Sequence, residues 1–135
     1  MNTFITELLI CYLLSLCIGI ERQYSKLVGL RTIILVSIGS FLFVKFSYIS
    51  PNSDITRIAS GITSGIGFLG AGLIIKDDKA IKGLTTSATL WCSSAIGVLC
   101  SGSLLIEATI GTLIILFTNI ILKKIDNKIN KIHKD

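Results

Sequence analysis

Charge is what this sequence has least of. Lys and Arg supply 13 residues and Asp and Glu 8, so 16% of 135 residues are charged, against about a quarter in ordinary soluble domains. Proline, tryptophan, methionine and histidine occur once each. A lone histidine, His133, leaves no Ser-His-acid relay, Cys-His pair or metal cluster to assemble, which argues against an enzyme. The cysteines Cys11, Cys17, Cys92 and Cys100 lie in apolar stretches without Cys-x-x-Cys spacing, so neither a zinc site nor a disulfide framework is indicated. They read as small core or lipid-facing residues. No basic stretch is interleaved with aromatics, so the net charge of +5 does not point to nucleic acid. The first twenty residues lack a basic n-region, and Leu14-Ser15-Leu16-Cys17 is a loose echo of a lipoprotein cleavage box; a retained first helix is expected.

What the chain does have is long apolar runs. Half of it is apolar (51%) and the mean hydropathy is +0.79. Residues 83–106, 58–75 and 108–122 carry no charge over 24, 18 and 15 positions. A small soluble core cannot hide that much apolar surface. The expectation is an all-α integral membrane bundle of about five transmembrane helices, over 4–20, 32–49, 58–75, 84–101 and 104–122. The last two share one apolar stretch, and Ser101-Gly102-Ser103 marks the turn between them. With the C-terminus cytoplasmic, Arg22, Lys26, Arg31, Lys76, Lys79, Lys82, Lys123, Lys124, Lys128, Lys131 and Lys134 fall inside and only Lys45 and Arg57 outside, which predicts an N-out, C-in topology. Residues 1–122 form the membrane domain. Residues 123–135 form a basic tail in which Ile125, Ile129 and Ile132 recur at helical spacing, suiting a surface helix, a stop-transfer anchor or a contact with anionic lipid.

Within this frame a few polar residues stand out. Glu7 lies 14 residues before Glu21 and Lys45 lies 14 after Arg31, so on antiparallel helices both reach about 21 Å from the cytoplasmic face. Each is expensive alone at that depth, so they are expected to approach one another unless each snorkels separately; Glu107 is a third candidate for this intramembrane polar layer. Segment 58–75 holds Gly61, Gly65, Gly67, Gly70 and Gly72. Gly65-x-Gly67-x-x-Gly70 fits a dinucleotide fingerprint only by spelling, since neither the preceding strand nor the downstream acid is present. Small residues four apart instead suit close helix packing in lipid, or a loosened helix with exposed carbonyls. Gly29-Leu30-Arg31-Thr32 and Gly83-Leu84-Thr85-Thr86 open the second and fourth spans alike, a weak internal echo in which the threonines can satisfy helix N-terminal amides. Glu21-Arg22 and Asp54-x-x-Arg57 read as local caps and ion pairs.

These residues carry a resemblance. Gly19-Ile20-Glu21-Arg22-Gln23, Gly29-Leu30-Arg31-Thr32, Asp54-x-x-Arg57-Ile58-Ala59, Gly65-Ile66-Gly67-Phe68-Leu69-Gly70-Ala71-Gly72 and Gly83-Leu84-Thr85-Thr86-x-Ala88-x-x-Trp91 resemble, in order and spacing, the MgtC/SapB family of bacterial inner-membrane proteins, over about residues 5–122. The resemblance implies a role in magnesium homeostasis and adaptation to low Mg2+. Some members act in virulence and as modulators of the F-type ATP synthase. It does not imply that the protein itself transports Mg2+. The short lysine tail is closer to short SapB-like members than to those with a cytoplasmic C-terminal domain. Ser87 replaces the family's usual alanine, and Gly102 stands alone where further glycines are usual.

Two functions compete. The leading expectation is a regulator without enzymatic activity or cofactor, which acts through helix contacts along residues 61–72 with a membrane partner or a second copy. The alternative is a transporter or channel for Mg2+ or another cation. Magnesium prefers carboxylates and water, and no acidic residue lies in the middle of any expected span.

Overall fold

The computed structural model describes residues 2–23, 27–50, 54–77 and 80–132. Lys26, Asp78, Lys79, His133 and Lys134 lie outside them, as do the side chains of Lys128, Lys131 and Ile132. The chain forms α1 (Asn2–Gln23), α2 (Leu30–Ser47), α3 (Ile55–Ala71), β1 (Ile75–Asp77), β2 (Ala80–Lys82), α4 (Leu84–Ser101), α5 (Leu105–Phe117), a π-helical turn (Thr118–Leu122) and α6 (Lys123–Ile132). The molecule is inside out relative to a water-soluble bundle. Phe43, Leu35, Phe68 and Ile106 are exposed, while Ser15, Ser37, Ser40, Ser93, Ser94 and Ser101 are buried. Small polar side chains let helices approach and hydrogen-bond to neighbouring groups, and lipid solvates the apolar exterior. The chain is therefore an all-α membrane helical bundle.

Among the described residues, four helices are long and apolar enough to cross a membrane: Thr3–Gln23, Leu30–Ser47, Leu84–Ser101 and Leu105–Asp126. The third differs from expectation. Its helix runs over Ile55–Ala71, about 26 Å at 1.5 Å per residue, and then gives way to the short β1–β2 hairpin, with Ile75 paired to Lys82 and Asp77 to Ala80. Ile75, expected to end a span, thus begins a strand. The hairpin returns tightly through Gly83, whose φ of +90° lies in the left-handed region open to glycine. A Cβ there would also overlap the Leu73 carbonyl.

Contacts nevertheless make α3 traverse the same layer. The end of α2 lies beside the start of α1, where Lys45 meets Glu7. The first turns of α4 lie at the other end of α1, where Thr89 and Glu21 share Asn119. The chain must therefore return through the bundle between Ser47 and Leu84. It does so antiparallel to α4, with Ala59 and Thr63 sharing a cleft with Val98 and Trp91, and with Gly70 against Ser87. α1, α3 and α5 run one way, and α2 and α4 the other. The closest approach is α2 on α4, where Gly97 lies against the backbone of Ser37 and Phe41. Around it sit the buried Cys11, Ile18, Ile33, Phe41, Leu90, Ile96 and Cys100. From Leu105 to Ile132 the backbone is helical throughout, so residues 122 and 123 adjoin within one helical run.

Candidate functional site: two polar layers

The buried ionisable groups gather at the two ends of α1, about 21 Å apart for 14 helical residues. At the first, the Glu7 carboxylate, 4% exposed, forms an ion pair with Lys45 Nζ at 2.5 Å and accepts a hydrogen bond from Ser103 Oγ at 2.5 Å. Lys45 also sits over the Phe41 and Tyr48 rings, 5.7 and 5.5 Å from their centroids, a cation–π setting that offsets part of its desolvation. Ser103 takes φ +62°, an uncommon conformation for a residue with a Cβ. It does so in the α4–α5 turn, from where its hydroxyl reaches back to α1. Glu107 does not join this layer. It is exposed one turn further along α5, and the place expected for it is taken by Ser103.

At the second layer, Glu21 receives Arg22 Nε at 2.5 Å and Nη2 at 2.8 Å, with Arg22 itself buried. Across the bundle Asn119 Nδ2 donates to Glu21 Oε2 at 3.1 Å and contacts Thr89 Oγ1 at 3.2 Å. Thr89 in turn donates to the Thr85 carbonyl at 2.8 Å. Asn119 lies within the π turn and is 5% exposed. A π turn adds a residue to the helical circuit and re-aims a side chain, and such turns recur at functional sites. Sequence reasoning missed Asn119, Thr89 and Ser103. The signal for Asn119 was available: an amide alone in an otherwise charge-free apolar span is costly unless it is partnered.

Between the layers, Cys11 Sγ and Ser37 Oγ are 3.5 Å apart, and Ser40 and Ser94 share a 2.7 Å hydrogen bond that joins α2 to α4. Cys11 and Cys100 are buried, Cys92 half-buried and Cys17 exposed, all as free thiols. Among the described residues, no three His, Cys, Asp or Glu side chains are placed to hold a metal ion.

The remaining motif residues are mostly structural. Gly19 admits Leu30, whose Cδ1 would be 2.6 Å from a Cβ at that position. Gly29 is the N-cap of α2, and Gln23 Oε1, not a threonine, accepts from the Leu30 amide at 2.9 Å. At α4 the N-cap is Gly83, again without a side-chain cap bond. The expected threonine caps are thus corrected: Thr32, Thr85 and Thr86 already lie within the first helical turn, beyond the capping position. Thr86 is buried, whereas Arg31, Thr32 and Thr85 are exposed. Asp54 caps α3, accepting from the amide of Thr56 at 2.9 Å and its hydroxyl at 2.5 Å, and from the Arg57 amide at 3.4 Å. These hydrogen bonds, led by the Thr56 hydroxyl, hold its carboxyl below the usual range. Arg57 and Trp91 project outward. Gly70 packs on Ser87, while Gly61, Gly65 and Gly67 have nothing within 4 Å of where a Cβ would stand. The helix through them stays regular, so within the chain they neither bring helices together nor open the backbone. Gly61 and Gly65 border a groove of about 520 Å³ that faces Leu35, Gly39 and Phe43 of α2.

The MgtC family profile matches residues 8–128. Protein MgtC of Brucella abortus is 49% identical over 114 residues, 83% of this chain and 48% of that protein. Protein MgtC of Salmonella typhimurium is 44% identical over 133 residues, 98% of this chain and 58% of the relative. An uncharacterized protein of Synechocystis is 44% identical over 131 residues, 96% of this chain and 56% of its own length. The chain thus spans about half the length of the curated relatives it matches. No solved structure matches. Carried by a match over nearly its whole length, this multi-pass membrane chain belongs to the MgtC family.

Proposed function

We propose that this protein serves magnesium homeostasis or adaptation to low Mg2+ in a bacterial inner membrane, and that it does so without catalysis, through helix contacts with another membrane protein. The family resemblance suggests the F-type ATP synthase as that partner. The observation carrying the contact mode is the open face of α3: Gly61, Gly65 and Gly67 leave their surroundings empty in a helix that packs on α4 through Gly70. In lipid, where apolar burial drives association weakly, close backbone approach at small residues supplies the contact. The test is Gly65→Leu and Gly67→Leu, read by growth complementation in low Mg2+ and by thermal unfolding of the purified protein. Loss of complementation with unchanged unfolding is expected. Full complementation by both variants would remove the face from the mechanism.

Transport is disfavoured by the Glu7 carboxylate being engaged by Lys45 and Ser103, which leaves little of it for a divalent cation. Mg2+ flux into proteoliposomes that disappears in Glu7→Gln would reverse that judgement.

A further inference from the structure

A groove of about 690 Å³ opens on the outside of the bundle between the last turns of α1 and the π turn. Its walls are Cys17 and Ile20 on one side and Leu116 and Ile120 on the other, with Glu21 and Asn119 inside and Lys123 and Lys124 at one end. The Glu21 carboxylate is already held by Arg22 and Asn119, so the charge the groove offers a ligand is that of two exposed ammonium groups. Along the helix, Leu116 to Lys124 covers about 12 Å. Over that distance the lining changes from apolar, at a depth where Cys17 and Leu116 sit within their spans, past Glu21 and Asn119 to cationic in the last turn of the span. That gradient matches a phospholipid in both direction and order, and a volume near 690 Å³ is ample for a bound ligand, such sites running from about 300 to 1,000 Å³.

We propose that this groove is a binding site for one anionic phospholipid, with an acyl chain against Ile20, Leu116 and Ile120 and the headgroup phosphate between Lys123 and Lys124. Charge complementarity selects the occupant: an apolar helix of a partner would leave both lysines unpaired, whereas lysines at the cytoplasmic boundary attract anionic headgroups. The site joins α1 to the helix that carries Asn119, so its occupant touches both elements of the second polar layer.

The test uses the full chain reconstituted in phosphatidylcholine vesicles with traces of spin-labelled phosphatidylglycerol or spin-labelled phosphatidylcholine, and reads the motionally restricted fraction of each. The protein should prefer phosphatidylglycerol. Lys123→Gln with Lys124→Gln should lower that preference by about fivefold per lysine. The same charge loss at Lys76→Gln with Lys82→Gln should leave it unchanged. Ile120→Trp, which keeps both lysines but fills the groove, should also lower it, and carries the test if the double lysine variant does not fold. Equal restriction of the two lipids in the unaltered protein, an equal loss in the Lys76 and Lys82 variant, or an unchanged preference in Ile120→Trp would each overturn the proposal. Displacement of the labelled lipid by inorganic phosphate would assign the site to a free anion and overturn it as a lipid site.

Discussion

Replacing Gly97 by alanine tests the reading of the bundle centre most directly. A Cβ at Gly97 would overlap the Ser37 carbonyl oxygen and lie 3.2 Å from the Phe41 amide nitrogen. Both obstacles are backbone, so no side-chain rotation relieves them, and α2 must move away from α4 along their shared length. Overpacking of this kind costs about 1–3 kcal/mol, with the upper end fitting a rigid obstacle. Alanine recovers about 1 kcal/mol of helix propensity over glycine. The net loss is then about 2 kcal/mol, or roughly a thirty-fold shift in the unfolding constant. Reversible unfolding in mixed micelles of increasing SDS fraction measures it. Gly65→Ala is the matched control, because nothing lies within 4 Å of its Cβ position; it should equal the parent or gain up to about 1 kcal/mol. A Gly97→Ala protein as stable as Gly65→Ala would refute the close α2–α4 approach.

Lys45→Met strands the buried Glu7 carboxylate with Ser103 alone; it should destabilise by about 3–5 kcal/mol, and the double variant Lys45→Met with Glu7→Gln should recover most of the loss in the same unfolding assay. Asn119→Leu removes the bonds to Glu21 and Thr89. A loss of about 1–2 kcal/mol is expected, with the change in amide hydrogen exchange confined to the π turn and the ends of α1 and α4. Asp54 supplies a pH signature at the start of α3: its carboxyl is held below the usual range, so the cap stabilises fully above the ordinary value of about 3.9 and is lost as pH falls from there through the lowered folded value. Asp54→Ala should abolish that acid-side decline in helix content by circular dichroism, and a decline of the same size in the variant would place its origin elsewhere.

The polar layers show what the residue pattern made legible and what it did not. The positions of Glu7 and Lys45, each 14 residues from a charge at the other end of its helix, already set them at one depth, and the structure places them 2.5 Å apart. That counting fails for Glu107, because depth says nothing about which side of a helix faces inward. Depth also could not single out Ser103, whose role depends on a left-handed turn residue. The glycines divide in the same way. Five of them in 61–72 announce close packing, yet among the described residues it is Gly97 that brings two helix backbones together, and the open positions are Gly61, Gly65 and Gly67. A glycine permits proximity without stating to what.

Apolar runs and their turn-forming breaks by themselves determined a membrane bundle, its helix order and its turn at residues 101–103, because water and lipid act on each segment locally and independently of its neighbours. Five linked motifs likewise sufficed for the family. Only the tertiary structure decided that α3 runs antiparallel to α4 as a helix of 17 residues and ends in a hairpin, that serines rather than leucines fill much of the interior, and that a π turn aims Asn119 at Glu21. In each case the outcome rests on which helix faces lie against one another, and that is fixed by contacts between residues far apart in the chain.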